Sequence, residues 1–147
     1  MTFALRVAGP SDHAAIFPRT KALNAHEGIE LTDEGLAASL AVLLADPALG
    51  AAWLVSRDGV DVGYAVTTYC FDLEFGGREA WLTELWIDDA ARGGGAGGTV
   101  LPLLEAELRA RGVLALHLQV RPDNPAARLY ARLGYQAVPR TVMSRRL

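Results

Sequence analysis

A chain of 147 residues that is 51% hydrophobic and 21% charged suits one compact domain over residues 1–147 and is too apolar for a disordered segment. Its longest apolar stretch, Leu36 to Ala45, stops at Asp46-Pro47, well short of the ~20 residues that span a bilayer. A formal net charge of −3 excludes a domain that grips nucleic acid through its whole surface, and a single cysteine excludes an internal disulfide.

Met1 to Arg6 puts a charge where a secretory leader would have its apolar core, so the expected compartment is the cytoplasm. Cys70 is expected as a core thiol. Only Lys21 among the 14 basic residues is lysine, so a fixed phosphate ligand is expected to be arginine, whose planar fork suits that task.

Taken in chain order, Phe3 to Val7 reads as an opening strand, and Gly9-Pro10-Ser11-Asp12 supplies a turn and cap for a short helix that Pro18 ends or bends. A second helix is capped by Thr32, has Asp33 and Glu34 in its first turn, and carries a stripe of Leu36, Leu40, Leu43 and Leu44. Ala52 to Arg57 and Val62 to Phe71 are strands joined by Asp58-Gly59, a pair that favours an antiparallel hairpin. A third strand starts near Arg78-Glu79 and runs through Trp81, Leu82, Leu85, Trp86 and Ile87. Its imperfect alternation fits a strand covered on both faces.

The densest chemistry follows that strand. Five of the 15 glycines fall between Gly93 and Gly98, in Arg92-Gly93-Gly94-Gly95-Ala96-Gly97-Gly98-Thr99, just before a helix with Leu101, Leu104 and Leu108 on one face. Glycines let the backbone approach a bulky anion, and the amides of the helix start point at it with the positive end of the dipole behind them. The segment reads as a diphosphate cradle, a solvated loop being the alternative. Pro102 removes an early helical bond, so the first regular turn is expected late, near Gly98 or Thr99.

Spacing excludes two other glycine-loop machines. No lysine precedes the hydroxyl in Gly98-Thr99, so this is not a P-loop. Too little chain follows for the further parallel units of a dinucleotide fold. Instead Leu114, Leu116, Leu118 and Val120 alternate as one more strand, which makes a parallel strand-helix-strand unit. Asn124 and Pro125 then open a helix that Gly134 closes, and Thr141 to Met143 can add a last strand.

Arg92, Gly95 and Gly97 match the Arg/Gln-x-x-Gly-x-Gly/Ala segment of the GNAT superfamily of N-acetyltransferases, and Asn124, Ala127, Tyr130, Gly134 and Tyr135 match its second signature. The chain resembles that superfamily most closely from Leu82 to Tyr135. The resemblance implies an α/β (α+β) fold: a mixed, mostly antiparallel sheet of about six to seven strands with about four helices on both faces, splayed between strands 4 and 5 to admit the pantetheine arm. It implies acetyl-CoA as cosubstrate, without a metal, and transfer of its acetyl group to a primary amine by direct attack in a ternary complex. A GNAT-fold module that binds acyl-CoA without turnover, as sensor or scaffold, is the alternative.

The residues implied for the cosubstrate are Trp86, Ile87, Arg92, Gly93, Gly94, Gly95, Ala96, Gly97, Gly98, Thr99, Asn124, Ala127 and Tyr130. Gly94 and Gly98 depart from the lysine, glutamine, serine or threonine frequent in relatives, which removes side-chain phosphate contacts and leaves the backbone cradle. Tyr130 resembles the family's acid for the departing thiolate; its alternative is a core tyrosine. An ammonium cannot attack, so a base is needed. Glu84 is the side chain chosen for that role, against a carboxylate satisfied by an arginine or backbone amide, with Asp72 and Glu74 as lesser candidates. His26, Glu27, Asp72 and Glu74 are the candidate acceptor contacts, and their acidity suits a small cationic amine. His13, His26 and His117 show no ligand spacing. No nucleic acid or membrane partner is expected, and a homodimer is.

Overall fold

The computed structural model describes residues 2–147. Its five strands, β1 (Phe3–Val7), β2 (Gly50–Arg57), β3 (Val60–Asp72), β4 (Gly77–Ile87) and β5 (Leu116–Leu118), form one sheet in that order. Every pairing is antiparallel except β4 with β5. Between β2 and β3 both Asp58 (φ 52°) and Gly59 (φ 83°) are left-handed, the turn whose twist matches the strands it joins.

Helices α1 (His13–Glu27) and α2 (Asp33–Ala45) cover one face of the sheet, where Ile16, Leu40 and Leu44 pack on Ala52, Leu54, Tyr64 and Val66. Helices α3 (Ala96–Ala110) and α4 (Ala126–Arg132) cover the other, where Leu101, Leu104 and Leu108 meet Trp53, Ala65 and Leu82, with Leu129, Tyr130 and Leu133 against them. Alternate residues of β2 and β3 thus serve opposite cores, which is why these strands read as continuous apolar runs.

Trp53 is fully buried and its indole N–H donates to the Thr67 hydroxyl at 2.9 Å. Thr67→Val leaves that donor unpaired in the interior, an expected cost of about 1–3 kcal/mol. The check is a lower denaturant midpoint at unchanged slope.

Thr32 caps α2 as expected, its hydroxyl accepting from the Gly35 amide at 3.1 Å. Four expectations need correction. Helix α1 runs through Pro18, which costs one backbone bond; Ile16, Thr20 and Asn24 are buried on both sides of it, and Arg19 grips Asp88 with contacts of 2.7 to 3.1 Å, so tertiary contacts hold the helix together. Helix α3 starts at Ala96, earlier than Pro102 suggests, because left-handed Gly95 sets up the first turn directly. Cys70 is exposed, since β3 there extends past the helices that cover its middle. Among the described residues the sheet has five strands, not six or seven: residues 136–147 lie exposed and form no ladder, Thr141 to Met143 included.

Candidate active site

Strand β4 is paired on both edges only at its start. Ala80, Trp81 and Leu82 face Leu116, His117 and Leu118 of β5, and beyond them β5 ends. From Thr83 to Ile87 the β5-side edge of β4 therefore has no strand beside it, and the sheet opens into a wedge. At the same place the β3–β4 register shifts by one residue, between Val66 and Thr67, so that Thr83 is extra. A bulge of this kind re-aims the side chains after it. Leu82 and Leu85 stay on the α3 side. Glu84 and Trp86, opposite Val66 and Tyr64, turn to the α1 side.

The opened edge leads straight into the glycine segment. Gly93 (φ 82°) and Gly95 (φ 73°) are left-handed, and a Cβ built on either would meet nothing within 4 Å, so the space above the loop is free for a ligand. Thr99 is the first residue of the turn whose amide is used, donating to the Gly95 carbonyl at 3.2 Å. The amides of Ala96, Gly97 and Gly98 precede it and have no intrahelical acceptor. The Thr99 hydroxyl turns back to the same carbonyl at 3.3 Å. Gly97 has a different reason to be glycine, because its Cβ would stand 2.6 Å from Leu129 Cδ2 of α4.

Trp86, Ile87 and Arg92 form one unit at the cradle's rim. The Arg92 guanidinium lies 4.4 Å from the Trp86 ring centre, donates from Nε to the Ile87 carbonyl at 2.8 Å, and meets Asp89 at 2.9 Å. Asn124 caps α4 from one residue upstream, its side-chain oxygen accepting from the Ala126 amide at 2.9 Å. Ala127 and Tyr130 line a cleft of about 960 Å³ along the free side of β5. Tyr130 packs edge-on to Tyr135 at 5.9 Å, and its hydroxyl has no hydrogen-bond partner among the described residues. Burial pushes that phenol above its ordinary range.

Glu84 is half-buried and has neither an ion pair nor a hydrogen bond of standard geometry among the described residues. Burial raises its carboxyl above the usual range; the Tyr64 hydroxyl lying against it offsets part of the rise. Burial chiefly, and Glu84 in second place, push the Tyr64 phenol far up. Glu84 and Tyr130 do not touch: one serves the α1 side and the other the α3 side, with the wedge between them.

The four acceptor candidates separate into two groups. His26 meets the edge of Trp86 at 6.0 Å, and Glu27 reaches Arg121 of the segment after β5 at 3.7 Å. Asp72 and Glu74 sit at the far end, on the cleft, where Asp72 holds the β3–β4 turn through the Glu74 amide and Glu74 pairs with Arg140. Sequence reading missed a further pair on this cleft, Glu79 and His117, whose only signal is that the alternation of β5 puts His117 opposite its buried leucines.

The profile of the acetyltransferase (GNAT) family matches residues 19–135. The chain belongs to that family. It thereby joins the enzymes that take an acetyl group from acetyl-CoA. An integron cassette protein from the mobile metagenome of Cole Harbour Salt Marsh is similar over 97% of this chain and 90% of its own, at 25% identity and a TM-score of 0.84. A possible acetyltransferase of Clostridium difficile 630 matches at 18% identity over 100% and 99% of the two chains, with a TM-score of 0.86. A predicted acetyltransferase of Clostridium acetobutylicum, solved with acetyl-CoA, matches at 19% identity over 98% and 96%, with a TM-score of 0.78. No curated protein matches. These likenesses agree with the GNAT fold and its parallel β4–β5 pair. No helix among the described residues is long and apolar enough to cross a membrane.

Proposed function

We propose that this GNAT enzyme moves the acetyl group of acetyl-CoA directly to a primary amine of a small cationic acceptor, within a ternary complex. The observation that carries the reading is the continuous path from the unpaired edge of β4, past Ile87, into the free amides between Gly93 and Gly98. An extended pantetheine arm can bond to the first part, and the diphosphate can seat on the second. Trp86 and Ile87 orient the thioester end, Arg92 supplies the charged rim, and Asn124 and Ala127 set the pitch of the helix that presents Tyr130.

Glu84 stands as the base beside the thioester and Tyr130 as the acid for the departing thiolate. The cleft's carboxylates, Asp72 and Glu74 among them, support a cationic acceptor. The test is thiol release from acetyl-CoA across diamines, polyamines, aminoglycosides and alanine-terminated peptides, with initial rates fitted over both substrates. Intersecting lines are the expected result; parallel lines would mean an acetylated enzyme and would sink direct attack.

Glu84→Gln is expected to lower kcat/KM about 10² to 10⁴-fold at neutral pH and to remove the acid limb of the profile. In the unaltered enzyme that limb should lie above the ordinary carboxylate range, because burial raises Glu84. The same shift works on stability with a definite sign. Glu84 favours the folded chain below its unfolded titration range, and this contribution is lost as pH rises through the raised value. The variant should accordingly show a flatter stability profile across that window.

A further inference from the structure

The cleft that holds Tyr130 also holds a side-chain pair with no part in the reading so far. His117, at the centre of β5, places Nε2 2.8 Å from a carboxylate oxygen of Glu79, which is only 5% exposed. The imidazole is flanked by two rings, Phe75 at 4.9 Å and 63° and Trp81 at 4.9 Å and 35°. It is therefore held by a hydrogen bond at one nitrogen and by packing against both rings. A carboxylate only accepts, so Nε2 carries the hydrogen between them. Nδ1 is left as a lone pair with no protein partner among the described residues. Carboxylate, imidazole and free lone pair in line are the parts of a general base.

The surroundings favour a cation. Charged groups reach this cleft from three other places: Asp72 and Glu74 from the β3–β4 turn, Glu105 and Arg109 from α3, and Arg140 from the C-terminal segment. Arg140 is taken up by Glu74 and Arg109 by Glu105, at 3.2 and 3.8 Å. Asp72 and Glu79 are left without a cationic side chain of their own. The titratable phenols are Tyr130 and Tyr135, the latter donating to Glu105.

We infer that His117, oriented by Glu79, is the group that takes the proton an acceptor ammonium must shed before it attacks. This rests on the reading of the chain as an amine acetyltransferase and assigns it a second proton acceptor. The proton count closes. The ammonium gives one proton to Nδ1, and the imidazolium keeps its Nε2 hydrogen on Glu79. The freed electron pair forms the C–N bond, the C–S bond breaks with its pair on sulfur, and a second amine proton passes to Glu84. Tyr130 protonates the thiolate and is reprotonated from water, while Glu84 and the imidazolium each release a proton to the open cleft. Two protons leave and Tyr130 takes one back, so one is released net per turnover, as the overall reaction requires. Glu79 acts through His117 and is a positioning residue.

Two measurements decide it, both on the full chain. Thiol release is followed with 1,4-diaminobutane, an ammonium at neutral pH, and with hydroxylamine, which is uncharged there. His117→Gln keeps an amide that can meet Glu79, and it should lower kcat/KM about 10²-fold with the diamine while leaving the hydroxylamine rate little changed. An equal loss with both nucleophiles, or no loss with the diamine, overturns the inference. The second measurement is the imidazole nitrogen and N–H spectrum, which needs no acceptor: His117 should carry its hydrogen on Nε2 in the unaltered protein, shifted downfield by the charged acceptor, and Glu79→Gln should shrink that shift. A dominant Nδ1–H form overturns the inference and leaves amine transfer standing. No thiol release from the unaltered enzyme with either nucleophile overturns both.

Discussion

Tyr130→Phe is expected to lower the maximal rate of thiol release by roughly 10²-fold while leaving acetyl-CoA affinity nearly intact. The substitution removes one oxygen and nothing else. The Tyr130 hydroxyl holds no partner among the described residues, and the ring's contacts with Tyr135 and the α3-side cluster survive in phenylalanine, so folding should not suffer. Burial keeps the phenol protonated through neutral pH, which is the form an acid needs. A reference thiolate near 8.5 is a weak match for a phenol near 10, but the desolvation that raises the phenol also raises a thiolate generated beside it. Stopped-flow rates at saturating acetyl-CoA check the result. Unchanged turnover would remove Tyr130 from the chemistry and leave it a core residue.

The second large effect concerns the cradle. Acetyl-CoA at 100 times its Kd should stabilise the chain by about 2.7 kcal/mol, a rise in Tm of roughly 5 to 11 °C at ~2 to 4 °C per kcal/mol. Gly95→Val should lose most of that rise. Gly95 sits at φ 73°, where a branched side chain costs roughly 1–2 kcal/mol, so the ligand-free Tm should also fall by about 2 to 8 °C. Gly112 offers the control: at φ 80° and with open space around it, it closes α3 at the end away from the cradle. Gly112→Val should lose the same stability and keep the response to acetyl-CoA. If both variants keep it, the glycine loop does not bind the diphosphate.

Local signals were the readable ones. Asp58-Gly59 announces a hairpin because both residues tolerate positive φ, and Thr32 announces a helix because a hydroxyl there can reach an amide three residues on. The glycine cluster and the Asn124 cap are legible for the same reason. What failed depends on distant partners. Pro18 reads as a helix end, and only the burial of Ile16 and Thr20 against the sheet and the grip of Arg19 on Asp88 carry α1 past it. Thr141 to Met143 has strand composition, but a strand needs a neighbour, and β5 is too short to give one. The site was legible where a motif marks it and not elsewhere. Glu79 and His117 lie 38 residues apart, and no spacing rule joins a carboxylate on one strand to an imidazole on the next.

Gly97 has a mechanical meaning beyond its place in the loop. With Leu129 Cδ2 only 2.6 Å from where its side chain would begin, a methyl group there would make the Leu129 side chain turn aside or part the first turn of α3 from the helix bearing Tyr130. Leu129 and Tyr130 are neighbours on one short helix, so a displacement that the leucine side chain does not absorb is passed to the phenol. The residue at position 97 is thus a thin spacer between the two helices. It sets how far the proton donor stands from the seat of the diphosphate, and so couples the reach of the acid to the length of the molecule it serves.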